Sequence, residues 1–271
     1  MELGLAGKVA LVTGGSRGIG RATAVALAAE GCRVAICALG DRDLGEVATE
    51  VAEVSPRGEA PLTYSGDVSS QDQADAFVQG AVDAFGTVHV LVNNAGAIGN
   101  TGTFEDVTAE DWMMTLRANL MTTVAVTRAA LPYMRRQRWG RIINVGSESG
   151  VQPDPFMPQY NVAKAAVMNL AKSWSKAYGG EGILVNSVAP AAILTPMVEP
   201  LLRGFAEARG VPWVDAQRSF LQANRPHIAL GRFGRPDEVA AAIVFLASER
   251  ASFINGANLR VDGGSVASVG T

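Results

Sequence analysis

Cysteine and histidine are scarce in this chain, with two of each in 271 residues. Cys32 precedes a predicted strand and Cys37 lies within it, which favours free, buried thiols in a reducing compartment over a disulfide. No group of His, Cys or acidic residues has the spacing of metal ligands, so the sequence predicts no metal site.

Long uncharged stretches are also missing. No apolar run is long enough to cross a bilayer, and the first residues lack the charged and apolar segments of a signal peptide. The formal charge of −3 gives no reason to expect nucleic acid or an anionic membrane as a partner. We therefore expect a cytoplasmic protein with neither nucleic acid nor a membrane as partner.

Short β-branched runs alternate with helical patterns along the chain. Most of these runs are apolar throughout, as expected for a parallel sheet that helices cover on both faces. The pattern predicts an α/β, doubly wound Rossmann-type fold with a seven-stranded parallel sheet, in one domain over 1–271. We expect a cofactor half over about 1–146 and a substrate half over 147–271. The predicted strands are 8–13, 33–39, 61–68, 88–93, 141–146, 183–188 and 258–262.

The segment 191–233 departs from this alternation. It is rich in Pro, Gly and large apolar residues and is too long for a simple connection. We interpret it as a flap over the site, with an additional structural excursion as the alternative. Its apolar residues indicate a largely apolar substrate, whereas Arg203, Arg209 and Arg225 leave room for an anionic group. The apolar residues include Met197, Leu202, Phe205, Trp213 and Phe220.

A glycine-rich turn, TGGSRGIG (13–20), follows the first predicted strand and opens the first helix. Gly14, Gly18 and Gly20 allow a tight turn that brings backbone N–H groups close to a pyrophosphate, and the helix N-terminus adds a partial positive charge. The spacing differs from the general G-x-G-x-x-G fingerprint. Because the turn lies between a strand and a helix, we interpret it as a nucleotide site and not as a plain connection.

The end of the second strand discriminates between NAD(H) and NADP(H). An acid there binds the ribose 2′-hydroxyl and repels a 2′-phosphate. Ala38 and Leu39 occupy this position and are uncharged. Arg17 is placed to pair with a 2′-phosphate, and Arg42 is able to swing toward it. The acid Asp41 is adjacent to Arg42 in the sequence and works against phosphate binding. The balance favours NADP(H) over NAD(H).

Three polar residues form a candidate catalytic set. Tyr160 and Lys164, in YNVAK, are four apart on a predicted helix and share a face. A cationic amine beside the phenol is expected to lower the tyrosine pKa, which suits a proton donor or acceptor. Ser147 follows the fifth strand, and its hydroxyl can bind a carbonyl oxygen where charge develops. Each residue alone fits a structural role as well, so the inference depends on their combination with the glycine turn.

Together these motifs resemble the main branch of the short-chain dehydrogenase/reductase family and are similar to its 3-oxoacyl-(acyl-carrier-protein) reductase-like members. The resemblance implies an NAD(P)-dependent oxidoreductase that interconverts a ketone and a secondary alcohol. It also implies a homotetramer that pairs the fifth and sixth helices. Compatible substrates include 3-oxoacyl thioesters, steroids, sugars and aromatic ketones. The motifs are TGGSRGIG, GDV (66–68), NNAG (93–96), RANL with Asn119, INVGSESG with Ser147, YNVAK (160–164), PAAILTPM (190–197) and VDGG (261–264).

The resemblance assigns catalysis to Asn119, Ser147, Tyr160 and Lys164. Lys164 would also hold the nicotinamide ribose, and Asn119 would anchor a water that links the lysine to solvent. It implies adenine contacts after the third strand, ribose contacts after the fourth, and carboxamide contacts after the sixth. The implied cofactor-binding residues are Gly14, Ser16, Arg17, Gly18, Ile19, Gly20, Leu39, Asp67, Val68, Asn94, Ala95, Gly96, Tyr160, Lys164, Pro190, Ile193 and Thr195.

One residue departs from the family pattern. The family usually has Pro-Gly where this chain has Pro190-Ala191, and the additional methyl group is expected to tilt the backbone beside the nicotinamide. Two alternative functions also fit the sequence. One is a cofactor-binding sensor or scaffold on the same fold, which the intact set of four polar residues disfavours. The other is a dehydratase or epimerase that uses the cofactor transiently.

Overall fold

The structure is a computed structural model and describes residues 2–269. Its strands are β1 Val9–Thr13, β2 Arg33–Ala38, β3 Leu62–Ser65, β4 Val90–Asn93, β5 Gly140–Val145, β6 Ile183–Pro190 and β7 Asn258–Val261. They form one parallel sheet in the order β3-β2-β1-β4-β5-β6-β7. The chain changes direction across the sheet at β1, which lies between β2 and β4. The predicted seven-stranded, doubly wound sheet is confirmed.

Helices connect the strands and cover the sheet. They are α1 Gly18–Ala29, α2 Leu44–Val54, α3 Gln71–Phe85, α4 Ala109–Leu116, α5 Thr122–Gln137, α6 Pro158–Tyr178, α7 Glu199–Arg209, α8 Trp213–Asn224 and α9 Pro236–Ala247. A π-helical turn, Arg117–Met121, joins α4 to α5. Within residues 2–269, no helix combines the length and apolar character needed to cross a membrane.

The core has a layer on each face of the sheet. On one face, Leu27 of α1 and Ile243 of α9 pack with Val12 of β1. On the other, α3, α5 and α6 cover the sheet, and Phe77 packs with Leu91. Strands β1, β4 and β5 are buried along their whole length. Burial on both faces explains why these strands are apolar without alternation.

Both cysteines are free and buried, as predicted. Burial raises the pKa of each thiol to about 12. Since the thiolate is the reactive form, Cys32 and Cys37 are core residues and not candidate nucleophiles.

Strand β3 is shorter than the predicted 61–68. The chain leaves the sheet after Ser65, where the Asp67 carboxylate accepts a hydrogen bond from the Ser69 N–H at 3.0 Å. The Ser70 N–H also donates to the Asp67 carbonyl at 3.0 Å. These bonds form a turn, which frees Asp67 and Val68 from strand pairing and leaves them at the carboxyl edge of the sheet.

The predicted flap, 191–233, is more regular than its composition indicates. It contains α7 and α8, and Pro and Gly mark their ends: Pro200 lies in the first turn of α7, Gly210 caps its end with a φ of +60°, and Pro212 is the N-cap of α8. The base of the segment is closed by parallel bridging of Ile193 with Gly234. Pro200, Gly210 and Pro212, three of the residues that indicated an irregular segment, are therefore helix boundaries.

Candidate active site

The glycine turn joins the carboxyl end of β1 to α1. Gly14 and Gly18 have φ of +65° and +54°, a conformation that favours glycine. A methyl group at Gly14 would lie 2.9 Å from the side-chain nitrogen of Asn94, and one at Gly20 would overlap the Gly14 carbonyl oxygen. All three glycines are thus required by the shape of the turn.

The N-terminus of α1 has the donors that a pyrophosphate needs. Arg17 is the N-cap residue, and its side chain makes no capping hydrogen bond. Ser16 lies in the turn and Ile19 in the first helical turn, so their backbone N–H groups belong to the same cradle. An uncapped helix start beside a glycine turn fits the phosphates of a dinucleotide.

Next to this turn lies the region that would meet the adenosine ribose. Leu39, directly after β2, has 80% of its surface exposed. The Arg17 side chain is half exposed and forms an ion pair with Asp43, the residue before α2. The sequence indicated Asp41 as the opposing acid, but the structure shows that Asp43 contacts the arginine.

Asp67 and Val68 lie at the same edge of the sheet, after β3. Hydrogen bonds from Ser69 hold the pKa of the Asp67 carboxyl below its ordinary value, and Arg117 contributes through an ion pair at 3.2 Å. Asp67 is therefore ionised at neutral pH and able to accept another hydrogen bond. Val68 is buried beneath it.

The segment after β4 is fastened to the glycine turn. The Asn94 side chain donates to the carbonyls of Thr13 and Gly14 at 2.9 and 3.1 Å. The backbone N–H groups of Asn94 and Ala95 each donate to Thr13 Oγ1 at 3.0 Å. The side-chain nitrogen of Asn94 thus holds this segment against the glycine turn, a structural role that the sequence did not reveal.

Asn119 lies in the π-helical turn between α4 and α5. Its side-chain nitrogen donates to the carbonyls of Ala97 and Thr115 at 2.7 and 2.9 Å, whereas its Oδ1 is buried without a hydrogen-bond partner. A methyl group at Gly96 would overlap this oxygen and lie 3.3 Å from Lys164 Nζ. The two polar atoms therefore flank one small space beside Gly96.

Ser147 and Tyr160 meet at the carboxyl end of β5. Ser147 is buried and caps a short 3₁₀ turn, with its hydroxyl accepting from the Ser149 N–H at 3.2 Å. Tyr160 is in the first turn of α6, and the Ser147 side chain is close enough to lower the pKa of its phenol. The structure thus brings together two hydroxyls that are thirteen positions apart in the sequence.

Lys164 is one turn further along α6 and is buried. Its Nζ lies 5.6 Å from the centre of the Tyr160 ring and donates to the Val145 carbonyl at 2.9 Å. Burial lowers the pKa of this amine from 10.5 to about 8. The predicted shared face of Tyr160 and Lys164 is therefore present.

The expected lowering of the tyrosine pKa is not present. Burial raises the pKa of Tyr160 to about 12, and the nearby Glu148 carboxylate adds to this, whereas the Ser147 hydrogen bond acts in the opposite direction. Removal of the phenol from water therefore dominates the pKa of Tyr160 in the protein alone. The prediction was wrong about the direction of the pKa shift of Tyr160, whereas Tyr160 and Lys164 do share a helix face.

The segment after β6 lies beside the glycine turn. Pro190 ends β6, and the Ile193 backbone bridges Gly234 at the base of the flap. A methyl group at Gly18 would lie 3.2 Å from Cγ2 of Thr195, so Thr195 faces the turn. Ala191 packs with the apolar cluster of the flap and does not adopt a left-handed backbone, so its additional methyl group is accommodated.

The arginines of the flap are already paired. Arg203 forms an ion pair with Glu199, and Arg209 stacks on Phe205 with 4.2 Å between the guanidinium carbon and the ring centre. Arg225 pairs with Glu148 and Asp154, which flank the catalytic segment. Sequence analysis missed these acids. The available signal was a charged residue directly after Ser147.

Comparisons with known proteins identify the family of this chain. A family model described as enoyl-(acyl carrier protein) reductase matches residues 14–266. The 3-oxoacyl-(acyl-carrier-protein) reductase of Thermotoga maritima is 38% identical over 97% of this chain and 99% of its own. The D-beta-hydroxybutyrate dehydrogenase of Cupriavidus necator is 36% identical over 97% of this chain and 99% of its own.

Among solved structures, L-sorbose reductase from Gluconobacter frateurii, complexed with NADPH and L-sorbose, superposes with a TM-score of 0.93. It is 34% identical and covers 99% of this chain and 100% of its own. The chain therefore belongs to the short-chain dehydrogenase/reductase family, a family of NAD(P)(H)-dependent oxidoreductases, which confirms the resemblance inferred from the motifs.

Proposed function

We propose that this protein interconverts a ketone and a secondary alcohol with NAD(P)(H), and that Tyr160 is its general acid and base. The observation that carries the proposal is the convergence of three side chains at one edge of the sheet. Lys164 Nζ lies 5.6 Å from the centre of the tyrosine ring, and the Ser147 hydroxyl is close enough to lower the pKa of the Tyr160 phenol. All three lie beside the segment that follows β5. This segment and the glycine turn after β1 leave the same edge of the parallel sheet, at the carboxyl ends of the strands.

In the direction of reduction, Tyr160 donates its proton to the carbonyl oxygen, and in oxidation it accepts the proton back. The Ser147 hydroxyl donates a hydrogen bond to the same oxygen, where negative charge develops. Lys164, with a pKa of about 8, is largely cationic at neutral pH and stabilises the phenolate that forms. Asn119 Oδ1, buried without a partner, is placed to accept from a water beside Lys164 that would return the proton from solvent.

The protein fits a dinucleotide cofactor. The uncapped α1 N-terminus would bind the pyrophosphate, the exposed Leu39 and the ionised Asp67 would contact adenine, and Ala95 and Gly96 would line the ribose. Lys164 would also hold the nicotinamide ribose, with Ile193 and Thr195 at the carboxamide. When bound, the nicotinamide exchanges a hydride with the carbonyl carbon of the substrate.

Among the two nicotinamide cofactors we favour NADP(H). No acid occupies the end of β2, where Ala38 is followed by Leu39, so nothing there repels a 2′-phosphate. The half-exposed Arg17 guanidinium is within reach of the same corner. Asp43 has to share that arginine with the phosphate, which would reduce the preference without reversing it. The L-sorbose reductase that shares this fold was solved with NADPH.

The substrate side is lined by the flap, which we propose covers a largely apolar substrate. Its interior is the apolar cluster around Leu202, Leu221 and Phe233. Ion pairing and ring stacking occupy Arg203, Arg209 and Arg225, so these side chains do not favour an anionic substrate. The relative named for 3-oxoacyl groups supports a 3-oxo substrate with an apolar chain, whereas the relatives named for hydroxybutyrate and sorbose are named for smaller, polar compounds.

We further propose one domain with a cofactor half over about 1–146 and a substrate half over 147–271, located in the cytoplasm. The assembly is proposed to be a homotetramer that pairs α5 and α6. Large apolar side chains exposed near these helices support an interface, namely Met113, Met114, Met121 and Val162. Light scattering at several protein concentrations tests the assembly.

A ketone panel tests the proposed reaction. Wild-type protein is mixed with NADPH or NADH and with ethyl acetoacetate, L-sorbose or acetophenone, and the nicotinamide absorbance is followed. We expect Tyr160→Phe to lower kcat at least about 100-fold, because proton transfer contributes on that scale. Cofactor affinity, read from NADPH fluorescence, is expected to stay within about threefold of wild type, given that the phenol makes only a minor contribution to cofactor binding.

Tyr178→Phe is the matched control, since Tyr178 ends the same helix and stacks against Arg135 away from the site. A Tyr160→Phe variant that retains more than about a tenth of wild-type kcat would contradict the assignment, given the expected scale of proton transfer. Cofactor binding without turnover of a broad panel would favour a sensor or scaffold. Product formation without net cofactor oxidation would favour a dehydratase or epimerase.

A further inference from the structure

The flap helices have few neighbours in the body of the protein. Helices α7 and α8 pack chiefly against each other, and their buried residues form a cluster separate from the two layers that cover the sheet. Within α7–α8, Phe205 and Phe220 meet edge to face with 6.5 Å between their ring centres. The pair of helices is therefore a small unit, and its position relative to the body of the protein depends on the contacts at its ends.

One end is the base already described, where Ile193 bridges Gly234. The other is Arg225, the C-cap residue of α8. Its guanidinium lies 2.6 Å from Asp154 Oδ2 and 3.6 Å from Glu148 Oε1. Both acids belong to the connection between β5 and α6, which carries Ser147 at its start and Tyr160 just after its end.

The two acids are themselves firmly held. Asn161, beside Tyr160, donates from its side chain to the Asp154 carbonyl at 2.7 Å, and Asp154 Oδ1 accepts from the Phe156 N–H at 2.9 Å. The Glu148 carbonyl accepts from the N–H groups of Val151 and Gln152 at 2.9 and 2.8 Å. Because hydrogen bonds hold Asp154 and Glu148 in place, their ion pairs with Arg225 restrict the position of the flap.

The charges at this point are unevenly compensated. Glu148 has only 4% of its surface exposed, and its Oε2 is buried without a hydrogen-bond partner. Burial raises the pKa of Glu148, whereas Ser265 and the paired cation Arg225 act in the opposite direction. His227 and Asp262 also face this carboxyl, with opposite effects. Removal of Arg225 would leave a buried carboxylate without its partner, which is costly.

We propose that Arg225 is a positioning residue that fastens the flap to the catalytic segment, so that substrate affinity depends on its ion pairs with Glu148 and Asp154. The substrate part of the inference rests on the proposed function. Because Arg225 contacts neither Tyr160 nor Lys164, its loss affects how the substrate is enclosed and leaves the proton-transfer groups in place. Asp154 and Glu148 act through the arginine and not on the substrate.

The first test needs no substrate. Hydrogen exchange is measured on residues 199–224 in wild type, Arg225→Met and Arg225→Lys. We expect exchange in Arg225→Met to be at least tenfold faster than in wild type, with Arg225→Lys intermediate because it restores the charge without the planar fork. Arg218→Met is the matched control, since Arg218 is on the same helix and pairs within it, with Asp215 at 3.6 Å.

The second test uses the ketone that wild type reduces best. We expect Arg225→Met to raise KM at least tenfold while kcat stays within threefold, and Arg218→Met to change neither. Asp154→Asn should raise KM in the same direction, and the double variant should show less than the product of the two single effects. Asp154→Asn also keeps the proposal testable if Arg225→Met does not fold.

Unchanged exchange in both Arg225→Met and Asp154→Asn would overturn the proposal. Faster exchange with an unchanged KM would overturn its substrate part, as would a fall in kcat with an unchanged KM. If wild type turns over no ketone, the proposed function fails, and the exchange experiment still decides whether Arg225 fastens the flap.

Discussion

Lys164 is expected to make the protein less stable than a variant without it. The amine is buried, and burial lowers its pKa from 10.5 to about 8. At about 1.36 kcal/mol per pH unit, this difference means that the charged amine destabilises the folded state by roughly 3 kcal/mol. Lys164→Met removes the charge but leaves the Val145 carbonyl without its donor, which costs about 1–2 kcal/mol. We expect the variant to be about 1–2 kcal/mol more stable at pH 7 and inactive, since the gain from removing the charge exceeds that cost.

The measurement is urea unfolding at equal protein concentration, because an oligomer's stability depends on concentration. Lys172→Met is the control: Lys172 is on the same helix, and its amine reaches the Gly256 carbonyl at 3.2 Å from an exposed position. The pH dependence gives a second criterion. The folded pKa lies below the unfolded one, so the full destabilisation applies below about pH 8 and disappears as the pH rises through 10.5.

The advantage of Lys164→Met over wild type should therefore shrink between pH 8 and pH 10. Two results would refute the reasoning: a Lys164→Met protein no more stable than wild type at pH 7, or an advantage that grows with pH. Either result would mean that the amine is solvated or paired better in the folded protein than its burial implies.

Two further substitutions address the site and the cofactor. Gly96→Ala should lower kcat about tenfold or more, because the methyl group overlaps Asn119 Oδ1. Gly45→Ala is the control and should leave kcat unchanged, since the space around Gly45 is open. Equal activity of the two variants would contradict the packing argument. Ala38→Asp should weaken NADPH binding at least about tenfold and favour NADH, since a carboxylate there repels the 2′-phosphate. Fluorescence titration with both cofactors measures this, and an unchanged NADPH/NADH ratio would place the 2′-phosphate elsewhere.

The number of the strands and their approximate positions along the chain could be predicted from the sequence. A strand covered by helices on both faces has to be apolar throughout, so β1, β4 and β5 were evident as continuous runs. The glycine turn was equally evident, since steric limits leave glycine alone suited to the φ of +65° and +54° at Gly14 and Gly18. Helical spacing placed Tyr160 and Lys164 on one face. These features depend on local geometry, which the residue types encode directly.

Other features depend on what surrounds each residue. The pKa of Tyr160 is raised and not lowered because the effect of burial dominates, and burial is a property of the folded chain. The π-helical turn at Asn119 has no pattern in the sequence. The pairing of Arg17 with Asp43, and of Arg225 with Glu148 and Asp154, joins residues far apart in the chain.

The sequence by itself thus determined the sheet, the turn that suits a dinucleotide and the residues that suit proton transfer. Each of these features depends on the residue types at neighbouring positions along the chain. The tertiary structure decided which charges meet, how far each group is removed from water and how the flap is held. Electrostatic energies depend on distance and solvent exposure in space, and the sequence contains neither quantity explicitly.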